Sequence, residues 1–314
     1  MKNVTTAIRI ASGAAALALG AAGLALLPAN AQTAAPAEQA APQEVAVNLN
    51  ITPKRLILNK GNRSGTVYIF NQGSVPATFD ISLVERVMLP SGEIKPLAEA
   101  RTEPQLKPIV DSLASAQSLL VATPRRVSLA PGKGQTIRIR ATPPADASRE
   151  YRTHLTVTTV PPRDAGVTAD QAQAGAGGQL SFRITSVFGL SIPVIVRPSA
   201  ADARGAIENM RLAFADISPD GVSSPVRTPV VRFELRRVGV SSLFGNVEVQ
   251  SARGKDRSAL GLARGIGVYP EIGSRSIQIP LRRAPSAGEQ LEIVFTDDDS
   301  SPGKVVARST FTAS

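Results

Sequence analysis

Few residues in this chain are equipped for chemistry. There is one histidine, His154, in the run YRTHLTVTT, and there is no cysteine. Thiolate metal sites and Cys–His nucleophiles are therefore excluded, and a zinc site would have to recruit carboxylates. A Ser–His–Asp triad needs only one histidine, but no Gly-x-Ser-x-Gly elbow accompanies it. His154 is read as a solvent-facing strand residue. The sharpest acidic cluster is Asp297-Asp298-Asp299. Such carboxylates suit a hard cation, yet DDDSSPG between two apolar runs is also ordinary turn chemistry. The glycine-rich GLARGIG lacks the spacing of a phosphate loop and opens a strand rather than a helix. These residues point to a binding protein with no cofactor and no enzymatic centre.

The elements that would position such residues are strands. Short runs of Val, Ile, Leu, Thr and Phe alternate with turn signals, and no helical period is sustained. A first strand is expected over 49–58, a second over 65–71, and a third over 77–88 before the turn Pro90-Ser91-Gly92. Residues 97–120 read as a loop with a short helix near 110–120. Strands resume at 126–129, 135–141 and 151–159. In the last of these, Tyr151, Thr153, Leu155 and Val157 share one face, with Arg152, His154, Thr156 and Thr158 on the other. Residues 161–178 read as a long loop. A strand of 17 residues is then expected over 180–196, with Leu180, Phe182, Ile184, Phe188, Leu190, Ile192 and Val194 on one face. Strands usually run about 5–6 residues, so one this long predicts a free edge. Such an edge normally needs protection unless it is where a partner strand binds. Seven further short strands follow Pro198. The expected fold is all-β, two tandem immunoglobulin-like β-sandwiches over 45–198 and 199–314.

The start of the chain reads as a secretory signal over 1–31: Lys2 and Arg9, an apolar run, then Ala29-Asn30-Ala31. The apolar run is shorter than the roughly 20 residues needed to span a bilayer, so cleavage after Ala31 is expected, with no stable membrane span afterwards. Residues 32–44 read as a flexible leader rich in Ala, Pro and Gln. The net charge is +10 and aromatic residues make up 4%. So few aromatics speak against a base-stacking platform, and nucleic acid is not expected as a partner; attraction to an acidic protein is compatible with the charge.

Several blocks, in order, resemble the PapD-like periplasmic chaperones of chaperone–usher pilus assembly. ITPKRLILNKGNRSGTVYIFNQG is similar to that family's first two strands, with Arg55 and Asn71 in place. PRRVSLAPGKGQTIRIR carries Pro124, Leu129, Pro131 and Gly132 at the family's turn. REYRTHLTV and SIPVIVRP are similar to its last two strands of the first domain. The second domain matches in strand rhythm and position.

The resemblance implies a non-enzymatic chaperone in the periplasm, active in fimbrium biogenesis. Its expected partners are secreted pilus subunits and an outer-membrane usher. It would complete each subunit's core by donating a strand. The implied contacts are Arg55 for the subunit's terminal carboxylate and Phe182, Ile184, Phe188 and Leu190 as apolar knobs. The family's second anchor, a lysine on the last strand, falls here on Pro193. Arg183 and Lys54 are the nearby bases able to replace it. Arg197 and Glu150, with Asp298 or its neighbour Asp297, are implied as interdomain ion pairs. Two other readings stand beside this one: a structural or adhesive surface protein of two sandwiches, and a secreted hydrolase using His154.

Overall fold

The computed structural model describes residues 48–144, 147–161, 187–252 and 259–313. The expected signal segment and leader, and the long loop together with Leu180, Phe182, Arg183 and Ile184, lie outside the described residues.

The first sandwich is built from two sheets. One runs β1 (Leu49–Thr52), β3 (Ser64–Asn71), β9 (Gly134–Ala141), β7 (Leu120–Thr123). The other runs β2 (Leu56–Asn59), β11 (Gly189–Arg197), β10 (Tyr151–Val160), β4 (Ala77–Val84), β8 (Arg126–Leu129). The pattern QTIRIRA in β9 shows why these segments are strands. Ile137, Ile139 and Ala141 are buried while Arg138 and Arg140 are exposed, as a period of two requires. Phe79, Ile81, Val67, Ile69, Leu155 and Val157 complete a single apolar core.

The expected first strand is in fact two. Pro53 follows Thr52 in a cis peptide and has no N–H to continue a ladder. The chain therefore leaves the first sheet, where β1 pairs antiparallel with β3, and enters the second, where β2 pairs parallel with β11. The third expected strand also divides, at Glu85. Its end becomes a hairpin, β5 (Arg86–Met88) with β6 (Ile94–Pro96), closed through Gly92 at φ +91°. Between β6 and β7 stand two short helices, α1 (Leu97–Ala100) and α2 (Lys107–Ser112). Val87, Leu97 and Ala100 bury against Ile109, Val110 and Leu113 there. The helical segment thus falls earlier than the 110–120 expected.

The second sandwich packs β12 (Gly205–Ile217), β13 (Val226–Arg237) and β16 (Ser274–Pro280) against β15 (Ala259–Val268), β14 (Leu243–Ser251), β17 (Gln290–Asp297) and β18 (Val305–Thr312). Phe233, Leu235, Leu243, Val249, Ile279 and Phe295 fill its core. The fold is thus all-β, two immunoglobulin-like sandwiches.

The second core does not stop at its own strands. Ile195 of β11 and Met88 of β5 are buried in it, and Ile57 and Ile109 pack against it. The outer face of the β10–β11 pair is therefore an internal surface. This overturns the solvent-facing reading of His154, which is buried.

Phe295 is fully buried in the second core. Phe295→Ala is expected to lower unfolding free energy by about 3–5 kcal/mol, measured by chemical denaturation.

Candidate functional site

Two features of the first sandwich stand apart: the outer face of β10–β11, which meets the second sandwich, and the edge of β11, part of which has no partner strand among the described residues. On the outer face, alternation brings Arg152, His154, Ile195 and Arg197 to one side of the sheet, while Leu155, Ile192 and Val194 point into the first core. At the junction of the sandwiches these basic side chains meet acids from the second sandwich.

One cluster lies where β11 leaves the first sandwich. Arg197 Nε donates to Glu150 Oε2 at 2.8 Å, and its Nη2 donates to Asp299 Oδ2 at 3.2 Å. Arg55 Nη2 donates to the same Asp299 oxygen at 3.0 Å and to Ser242 Oγ at 3.1 Å. Arg55 Nη1 donates to Tyr269 Oη at 3.2 Å. The Arg55 guanidinium also lies 4.6 Å from the Phe244 ring centre, within cation–π range. Burial pushes the Arg197 pKa down, but Glu150 and then Asp299 outweigh it, so the net shift is upward. The pair of arginines and the pair of carboxylates balance in charge. Even so, Arg55 Nε, Glu150 Oε1 and Asp299 Oδ1 are buried without a protein partner. Beside the cluster is a cavity of about 760 Å³ whose lining includes Ile57, Arg63, Pro144, Arg197 and Asp299.

A second cluster lies further along β10. Arg152 donates to Glu271 Oε1 and to the Arg86 carbonyl, and its guanidinium stacks 4.2 Å from the Tyr269 ring centre. The same Glu271 oxygen accepts from the Met88 amide at 3.0 Å, and the Glu271 carbonyl accepts from Ser112 Oγ at 3.1 Å. Hairpin, helical insertion and second sandwich are thus pinned at one buried residue, the hairpin through the Glu271 carboxylate and the insertion through its main-chain carbonyl. His154 sits 3.2 Å from Arg152 Nη1 through Nδ1. Since the guanidinium can only donate, the facing nitrogen accepts and the ring is neutral. Burial first, then Arg152, Arg86 and Arg55, press its pKa from 6.5 down to about 2.

The site residues expected from sequence divide as follows. Arg197 and Glu150 are brought together. The acid from the second sandwich is Asp299, not Asp298. Asp297 turns back to accept from Ser300 Oγ and the Ser301 amide, Asp298 points outward and is exposed, and the next residue round the turn reaches the arginines with its side chain 2% exposed. Arg55 reaches the junction, but its side chain is 9% exposed and committed to Asp299, Ser242 and Tyr269. Pro193 lies in β11 opposite His154. Lys54 is exposed and donates to Asn50 Oδ1.

The long last strand is shorter than expected. β11 begins at Gly189, and Val187 and Phe188 precede it outside the strand. Phe188 is 51% exposed, while Leu190 packs against the first core. The Thr159 amide donates to the Phe188 carbonyl, which fixes the ladder's phase. Even-numbered residues of β11 bond toward β10, and odd-numbered ones face the other way. On that other side β2 pairs only with residues from Val194 to Arg197. Gly189 and Ser191 consequently have no partner strand on that side among the described residues, while the Pro193 carbonyl serves the pairing of Val194 with Leu56 and Pro193 has no N–H to offer.

The residues that sequence reasoning missed are Glu271, Tyr269, Ser242 and the pinning role of Arg152. Arg152 carried a weak signal: a charge near the start of a strand, between Tyr151 and Thr153. The other three stand in a second sandwich whose partners are distant in sequence.

Residues 95–202 match the family described as pili and flagellar-assembly chaperone, PapD N-terminal domain. The resemblance seen in the sequence is thereby borne out over that segment. No curated protein matches the sequence. Solved structures similar to this chain include the Escherichia coli chaperone DraB, at 12% identity and a TM-score of 0.40, covering 85% of this chain and 97% of that one. The Pseudomonas aeruginosa CupB2 chaperone is 14% identical with a TM-score of 0.39, covering 84% and 100%. The Salmonella enterica SafB chaperone, solved with the SafA pilin, is 12% identical with a TM-score of 0.39, covering 84% and 96%. No helix among the described residues is long and apolar enough to cross a membrane.

Removing the Glu271 carboxylate leaves Arg152 buried and unpaired. Glu271→Ala is expected to cost about 3–5 kcal/mol, read as a lowered denaturation midpoint. His154 binds no proton in the folded protein, whereas the unfolded chain takes one up below about pH 6.5. Its contribution is therefore present above that pH and is lost as pH falls toward 2, by up to about 1.4 kcal/mol per pH unit. His154→Gln is expected to flatten the stability profile between pH 6.5 and 4, measured by denaturation across that range.

Proposed function

We propose that this protein is a non-enzymatic pilus-assembly chaperone of the periplasm that captures secreted fimbrial subunits by strand addition and passes them to an outer-membrane usher. The observation that carries this reading is the bare edge of β11. Over Gly189–Ser191 it has backbone groups without a partner strand among the described residues, and the exposed Phe188 stands at its start. An added strand would find amide donors and carbonyl acceptors at Gly189 and Ser191. The PapD-type match over 95–202, which contains this strand, supports the same reading.

In this mechanism the backbone ladder supplies affinity, and apolar side chains before Gly189 supply the missing core of the subunit. Phe188 is the knob among the described residues, with Phe182 and Ile184 proposed to continue the series and Leu190 marking where it turns into the chaperone's own core. No nucleotide is required, because burial of the subunit's open core provides the free energy. Arg55 would act as a carboxylate anchor by exchanging Asp299 for the subunit's terminal carboxylate, a like-for-like swap at a guanidinium. Arg197 would then retain Asp299 and keep the two sandwiches, divided near Pro198, in register.

Ser191 faces the free edge, so Ser191→Pro removes a donor from the added ladder and none from the protein's own. Both Ser191→Pro and Phe188→Asp are expected to fold normally and to lose capture of a co-expressed fimbrial subunit by more than about tenfold. Unchanged pull-down of subunit by both folded variants would remove strand addition at this edge as the function.

A further inference from the structure

The outer face of the sheet β1–β3–β9–β7 is distinct from both the junction and the donor edge. Residues 45–79 and 112–145 contain no Asp or Glu at all. The fold brings these two stretches together, since they supply every strand of this sheet. Arg138 and Arg140 point outward from central strand β9, roughly 7 Å apart at a period of two. Around them are exposed hydroxyls: Ser64 and Thr66 across β3, Thr123 across β7. Lys60, Arg63, Arg125 and Lys133 stand in the turns at the strand ends, all exposed. Val121, 61% exposed, and Tyr68, 42% exposed and stacked on Phe70 at 6.3 Å, add apolar surface to the same face.

Elsewhere several surface arginines meet acids. Arg126 meets Asp80, Arg204 meets Asp202, Arg236 meets Glu208 and Arg283 meets Glu289. On this face neither Arg138 nor Arg140 has an acidic partner among the described residues. An acid-free face is self-repelling and binds what supplies the missing charge.

We propose that this face docks on an anionic phospholipid surface. The charges are spread over both ends of the sheet as well as its centre. An extended anionic plane engages all of them at once, whereas a compact acidic protein would engage a part. Exposed Tyr68 and Val121 among bases are the side chains that enter a headgroup layer. Docking this way leaves the β11 edge, in the opposite sheet, open to a partner.

The test is co-sedimentation of the purified mature chain with phosphatidylglycerol–phosphatidylcholine vesicles and with phosphatidylcholine vesicles alone. Binding is expected on the anionic vesicles, about tenfold weaker on the zwitterionic ones, and lost in high salt. Arg138→Glu with Arg140→Glu is expected to abolish it without changing the melting temperature, since both side chains are exposed. Arg211→Glu with Arg227→Glu, the same change in net charge placed on exposed positions of the second sandwich, is expected to retain it. Absence of binding to anionic vesicles overturns the proposal, including when an acidic protein binds the face instead. Equal loss in both double variants also overturns it, because net charge alone would then account for the binding.

Discussion

The arrangement of the two sandwiches depends on burying one charged face. The outer side of β10–β11 carries Arg152, His154 and Arg197, and it can be removed from water only if the second sandwich delivers matching acids. Glu271 and Asp299 do so from two different loops, and Glu150 completes the set from the first sandwich. Removing either acid leaves a buried cation, so the angle between the sandwiches is held by charge matching as well as by apolar contact through Ile195 and Met88. Buried ion pairs of this kind add little net stability beside apolar packing. What they contribute is selectivity for one arrangement over others that would leave the arginines unpaired.

That constraint shapes the region beside it. Because the junction consumes the outer face of β11 at its C-terminal end, the strand's exposed backbone is confined to its N-terminal half. Because β2 covers β11 only from Val194 onward, the free edge is short and begins where the protein's own core ends. Arg55, at the switch between β1 and β2, is drawn into the same charge network. Its guanidinium and that of Arg197 share the same Asp299 oxygen. The hairpin β5–β6 and the helical insertion join the junction by bonding to Glu271 through Met88 and Ser112.

Much of the fold was legible in the sequence where alternation was clean. β8 and β9 fall where QTIRIRA and its preceding turn place them, since Gly132 adopts the positive φ that the turn needs. The helical insertion was legible as a departure from strand rhythm but not in its position, because helices of this length are held by packing rather than by propensity. The site was legible in part. Arg197 and Glu150 could be paired from their ordered blocks. Choosing among Asp297, Asp298 and Asp299 required the path of the turn, which alternation does not specify. His154 was misjudged because its neighbours Arg152, Thr156 and Thr158 are polar, and a polar strand face normally meets water. Here it meets another sandwich.

The sequence by itself determined the all-β character, the strand alternation and the distribution of charge, including two stretches of chain without a single acid. These are local properties, fixed by side-chain type and period. Only the tertiary structure decided which faces became interior. It turned the polar face of β10–β11 into a junction, split the first strand between two sheets at Pro53, and gathered the acid-free stretches into one exposed sheet. Each of these outcomes depends on contacts between residues far apart in sequence, such as Arg55 with Asp299 and Arg152 with Glu271. A period read along the chain gives the two faces of a strand but not what each face will meet.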